Sequence, residues 1–87
     1  MKLKFTQRAI KDLSHFPKQV ADRILNKMEW FVMQNDALSF AKPLKDSQLG
    51  TYRYRIGEYR VFVDVKKDTI SILLVLAIKH RKDAYKF

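Results

Sequence analysis

The chain has 87 residues, enough for one domain with a modest core, since a chain of this size buries only about 60% of its unfolded surface. Its 47% hydrophobic content excludes a disordered polymer, and the absence of cysteine excludes disulfides and thiolate metal centres. Eighteen Lys and Arg against nine Asp and Glu give a net charge of +9, which favours a polyanionic partner such as nucleic acid, an anionic membrane surface or an acidic protein.

Residues 1–5 are too polar to open a signal peptide. The longest apolar run, Ile72 to Ile78, falls far short of the ~20 residues of a membrane helix. The expectation is a soluble cytoplasmic protein without a membrane partner.

Lys2 to Phe5 alternates, with Leu3 and Phe5 on one side, and predicts a short first strand. Thr6 is placed to cap a helix running to about Phe16, with Ile10 and Leu13 on its inner stripe and Arg8, Lys11 and Asp12 facing water. Pro17 breaks that helix and suits the start of the next. The second helix carries Val20, Ile24, Met28, Phe31 and Val32 at three- and four-residue spacing, an amphipathic stripe that belongs to a core. Asn35 to Pro43 is expected to be a loop.

Tyr52 to Arg60 carries the main functional clue. Tyr52, Tyr54 and Ile56 alternate with Arg53 and Arg55, and Gly57-Glu58 fits a two-residue hairpin turn. Such a turn sets Ile56 opposite Tyr59, Arg55 opposite Arg60 and Arg53 opposite Phe62. Like charges directly opposed on a sheet are destabilising, so arginines placed this way point to an anion. Tyr59 to Val65 and Ile70 to Ile78 complete a three-stranded antiparallel meander, with Lys67-Asp68 at the second turn. If that turn has two or four loop residues, Val75 faces Arg60 and Leu73 faces Phe62. Ile70, Ile72, Leu74, Leu76 and Ile78 then join the core face. The open face shows Arg53, Arg55, Arg60, Phe62, Leu73 and Val75, with Lys79 at its edge. The whole is one α+β domain over residues 1–87: a strand, a two-helix hairpin and the meander.

The tail from Lys79 to Phe87 adds a second basic cluster. Phosphate oxygens suit arginine forks, and a base can stack on Phe62 or a tyrosine. The two histidines, His15 and His80, stand far apart without a carboxylate cluster, so no metal is expected. Two glycines cannot build a glycine-rich phosphate loop. What remains is chemistry driven by cations. Cleaving RNA with its own 2′-hydroxyl requires loss of that proton, stabilisation of a phosphorane and protonation of the leaving 5′-oxygen. Arginine serves the second need through fixed charge but not the first, because its pKa exceeds about 12. Tyr85 and His80 are the candidates for proton transfer.

The order of elements, the segment Tyr52 to Val61 and the ending Ile78 to Tyr85 resemble the RelE/ParE superfamily of bacterial toxin–antitoxin toxins, with its RelE-like microbial RNase fold. RelE-type members cut mRNA in the ribosomal A site without a metal or cofactor, whereas ParE-type members inhibit DNA gyrase. By this resemblance Arg53 and Arg55 stand where the family often has two basic residues, frequently lysines. Arg60 matches an arginine that follows an aromatic residue, Lys79 and Arg81 match a basic pair after the last strand, and Tyr85 matches a tyrosine used in catalysis. Arginine at positions 53 and 55 removes a lysine base there and moves that role toward Tyr85 or His80. The resemblance implies a metal-independent endoribonuclease acting on ribosomes and mRNA. Its catalytic set would be Arg60, Arg81, Tyr85 and His80, with Arg53, Arg55 and Lys79 on phosphate and Phe62 stacking a base. It also implies a cognate antitoxin with an acidic toxin-wrapping segment. The alternatives are a gyrase inhibitor and an RNA- or ribosome-binding module without chemistry.

Overall fold

A computed structural model describes residues 1–45, 48–67 and 69–84; Asp68 of the second turn and the candidate Tyr85 lie outside the described residues. Strand β1 (Lys2–Phe5) leads into helices α1 (Gln7–Ser14) and α2 (Lys18–Met33). A 3-10 turn (Ala37–Phe40) and a two-residue strand β2 (Lys42–Pro43) follow, in the stretch expected to be loop. The meander is β3 (Tyr52–Ile56), β4 (Tyr59–Lys67) and β5 (Ser71–His80). All five strands form one sheet in the order β1-β5-β4-β3-β2, with β1 parallel to β5. The α+β expectation holds, and the meander is widened by a strand on each side. Among the described residues no helix is long and apolar enough to cross a membrane.

Both helices cover one face of the sheet. Thr6 has extended backbone and its Oγ1 accepts from the Ala9 N–H at 3.1 Å, which caps α1 and starts it one residue later. Ala9, Leu13 and Phe16 face the core, whereas Ile10 is 56% exposed. Leu13 thus lies on the inner stripe as expected, and Ala9 takes the place expected of Ile10. The longer helix behaves as its pattern predicts, with Ile24, Met28 and Phe31 buried and Val20 and Val32 packed beside them.

The first hairpin has the predicted register: Ile56 opposes Tyr59, Arg55 opposes Arg60 and Arg53 opposes Phe62. The second does not. Lys67 pairs with Ser71, so positions 68–70 make a three-residue connection and the parity inverts. Val63, Val65, Leu73 and Val75 consequently face the helices, and Leu73 and Val75 are fully buried. They do not lie on the open face, which receives Ile72 and Leu74 instead. Ile70 is 47% exposed in the connection. Further along, the register slips between Phe62 and Val63, leaving Leu76 as the extra residue of a β-bulge between Ala77 and Val75. The slip restores the original parity, so Ile78 faces the core beside Val61 as expected, and Arg60 pairs with Lys79 rather than Val75.

The helical layer holds this bulge in place. Thr6 Oγ1 donates to the Leu76 carbonyl at 2.9 Å, and the Ile78 N–H donates to Asp12 Oδ2 at 2.9 Å. Asp12, expected to face water, is partly buried in this role. Asp12→Ala leaves that N–H without its acceptor and is expected to cost about 1–3 kcal/mol. Asp12→Asn keeps an acceptor and costs less, and Ile10→Ala, at an exposed position, stays within about 0.5 kcal/mol. Urea unfolding of the three variants checks the ranking, and a larger loss from Ile10→Ala than from Asp12→Ala would contradict the observed packing.

Candidate functional site

Residues paired across neighbouring strands share a face of the sheet, and adjacent strands lie about 4.8 Å apart. On the face away from the helices, Arg55 of β3, Arg60 of β4 and Lys79 of β5 therefore form one cross-strand row. The next row on that face is Lys42, Arg53, Phe62 and Ala77. Five cations thus stand in two adjacent rows. The first hairpin aligns the arginines, and the bulge brings Lys79 into line with them.

The Arg60 guanidinium turns back along the hairpin. Its Nη1 donates to the Gly57 carbonyl at 3.0 Å and to its neighbour Tyr59 at 3.2 Å. Gly57 supplies the positive φ of +56° that the tight turn needs. Glu58, in the same turn, has a partner that the sequence did not suggest. Its carboxylate Oε2 meets Arg81 Nε at 2.6 Å, and its carbonyl accepts from the Arg81 N–H at 2.7 Å. Arg81 is thereby fixed beside the β3–β4 turn. Four of the expected cations, Arg53, Arg55, Arg60 and Lys79, share the open face, and Arg81 is tied to its end.

Two expectations change. Phe62 points to the open face but is only 2% exposed. It lies in a small second core with Leu49, Ala77 and Ala84, against which Leu44 also packs. It cannot offer a ring face to a base. The β3-preceding loop covers it because backbone bonds from Leu44 to Thr51 and from Thr51 to Val63 fold that loop onto the sheet. His80 lies opposite Tyr59, one residue beyond Lys79, so it falls on the helix side. Its ring meets the Tyr59 ring edge-on at 5.3 Å, and Tyr59 packs on Phe16. His80 Nδ1 accepts from the Lys82 N–H at 3.2 Å. The histidine therefore belongs with the aromatic edge of the core and not with Arg60 and Lys79. No group of three or more His, Asp or Glu suited to a metal ion occurs among the described residues.

Tyr54, whose acidity is shifted, is structural. Tyr54 is buried, stacks on Phe31 at 4.5 Å and donates its hydroxyl to the Ala37 carbonyl at 2.8 Å. Burial first, then the charge of Asp36 and the neighbouring Tyr52, push its pKa up to about 12. The positive rows do not make this phenol more acidic.

On the helix side of the β3 edge lies an open groove of about 800 Å3. Arg23, Lys27 and Trp30 of α2 line it opposite Arg55, Ile56 and Gly57. Sequence reasoning passed over these helix residues, although their recurrence after four and three residues was a visible stripe.

The family model for the ParE toxin of type II toxin–antitoxin systems matches residues 3–85. The chain belongs to this toxin family. Toxin RelE3 of Methanocaldococcus jannaschii is 33% identical over 100% of the chain and 98% of its own length. Toxin RelG of Mycobacterium tuberculosis is 26% identical over 97% and 94%, respectively. The RelBE2 toxin–antitoxin complex of Mycobacterium tuberculosis contains a chain that superposes with a TM-score of 0.73 at 25% identity, covering 92% of this toxin and 96% of that chain.

The two revised aromatic residues have distinct signatures. Phe62→Ala is expected to cost about 3–5 kcal/mol in urea unfolding, a loss of core and not of a surface contact. Tyr54 keeps its proton more tightly when folded, so its contribution is fully present below its unfolded pKa of about 10 and is lost as pH rises through about 12. Tyr54→Phe should flatten that alkaline decline in unfolding free energy; an unchanged slope would show that another group causes it.

Proposed function

We propose that this toxin is a ribosome-dependent endoribonuclease that cuts mRNA in the A site. The observation that carries the reading is the row Arg55–Arg60–Lys79 beside Arg53 on the open face. Opposed like charges weaken a sheet, and a scissile phosphate relieves that repulsion. The 2′-oxygen of the RNA loses its proton and attacks phosphorus. The bond to the 5′-oxygen then breaks, and that oxygen takes up a proton. The products are a 2′,3′-cyclic phosphate and a 5′-hydroxyl. The cations stabilise the extra negative charge of the phosphorane, where fixed charge is most effective. Arg60 and Arg81 act at the reacting phosphate, Arg53, Arg55 and Lys79 hold the strand, and Tyr85 moves the proton. A cognate antitoxin, supported by the similarity to the toxin chain of the RelBE2 toxin–antitoxin complex, would cover part of this basic surface.

End-labelled mRNA in an in vitro translation reaction tests the proposal. Cleavage is expected only with ribosomes and only with 5′-hydroxyl ends; 5′-phosphate ends would overturn the mechanism. Arg60→Ala should reduce cleavage by about 10²–10³-fold while unfolding stability changes by less than about 1 kcal/mol.

A second reading, a toxin that inhibits DNA gyrase, is favoured by the ParE family match. Inhibition of supercoiling by purified gyrase together with intact mRNA would select it.

A further inference from the structure

We propose that the groove between α2 and the β3–β4 turn is a second RNA-binding subsite, with Arg23 and Arg55 on phosphate and Trp30 stacking a base. The inference rests on the ribonuclease reading for its ligand class, but binding in the groove is separable from cleavage on the open face.

Four observations carry it. First, the groove is continuous with the candidate site, because Arg55 belongs both to the row with Arg60 and Lys79 and to the groove lining. A strand held on the open face passes directly over the β3 edge into it. Second, its charge is positive. Arg23, Lys27 and Arg55 face one acid, Asp22, which is engaged by Lys18 at 2.9 Å. The Arg23 guanidinium lies over Gly57, so closely that a Cβ built there would stand 2.8 Å from its Nη2. This places the helix arginine over the turn that directly follows Arg55 in the groove lining.

Third, Trp30 is 43% exposed although it is a large aromatic residue on a groove wall. It is buttressed edge-on by Phe31 at 5.6 Å and Phe40 at 5.2 Å. The Lys27 ammonium lies over its ring at 4.5 Å, and a stacking base would displace that flexible side chain toward a phosphate. With Phe62 buried, Trp30 supplies the π-face that a single strand needs. Fourth, the lining suits a nucleotide better than a protein segment. Apart from Trp30, Ile56 and Gly57 it consists of polar or charged side chains, and Gln19 and Asn26 present amides able to donate to and accept from base edges. A protein segment would require an apolar anchor pocket. The volume of about 800 Å3 lies in the range of about 300–1,000 Å3 of small-ligand sites.

Trp30 is the only tryptophan in the chain, so tryptophan fluorescence, excited beyond the absorption of the tyrosines, reports on this groove. The full chain is titrated with 2′-O-methyl RNA oligonucleotides, which lack the attacking hydroxyl and cannot be cut. Saturable quenching that weakens with added salt is expected. Binding is also followed by anisotropy of a labelled oligonucleotide. Trp30→Ala, and Arg23→Gln with Lys27→Gln, should each lower affinity about tenfold; all three positions are exposed. Arg60→Ala should lower cleavage by the same about 10²–10³-fold yet retain quenching. RNA binding without quenching, or with affinity unchanged in these variants, overturns the groove while leaving the ribonuclease reading intact. Quenching by polyglutamate but not by RNA also overturns it and assigns the groove to an acidic protein. Quenching by RNA in a protein that never cleaves mRNA would sustain the subsite and remove the ribonuclease reading.

Discussion

The architecture depends on the bulge in β5 and on the two side chains that hold it. An extra residue in one strand leaves backbone groups without ladder partners, and buried groups of that kind are costly. Thr6 and Asp12 supply bonds from outside the sheet, one to the Leu76 carbonyl and one from the Ile78 N–H. Both lie in the first helical segment, so the helix layer and the central hairpin fix each other. Without the slip, Lys79 would fall on the helix side and the row beside Arg60 would lose its third cation.

The open face is divided between binding and covering. Next to the turn it displays cations, and one step along it is closed by the loop that lays Leu44 and Leu49 over Phe62 and Ala77. This small apolar lid gives a charged surface a rigid floor. Repulsion among Arg55, Arg60 and Lys79 is offset locally, since Arg60 donates to the Gly57 and Tyr59 carbonyls and Arg81 pairs with Glu58. The pairs are exposed and contribute little to stability, but they orient the guanidinium groups. Preorganised charge is of use to a reaction in which charge develops on phosphate.

The distribution of aromatic residues separates structure from recognition. Phe16, Phe31, Tyr54 and Tyr59 are engaged with the core and one another. Trp30 and Phe40 are both left partly open, and of the two Trp30 lines a concave basic surface. That surface continues the open face around the edge of β3, where the two-residue strand β2 reaches only Tyr52 and Arg53. A short β2 therefore leaves the outer edge of β3 near Arg55 unpaired by a neighbouring strand.

The sequence by itself determined the α+β order, the α2 core stripe and the whole register of the first hairpin. Each rests on local rules: periodicity, a cap, or a two-residue turn with glycine where φ is positive. Family membership was legible for the same reason, since the segment around Tyr52–Arg60 and the basic ending are contiguous. Only the tertiary structure decided which residues of β5 face the helices. Every position from Ile72 to Ile78 is apolar, so period-two patterning cannot choose a face, and a three-residue connection and a bulge change parity twice. The burial of Phe62, the placing of His80 on the opposite side from Arg60 and the pairing of Arg81 with Glu58 follow from contacts distant along the chain. So does the groove, because Arg23 comes to lie over Gly57, in one lining with Arg55, only when α2 packs against the sheet.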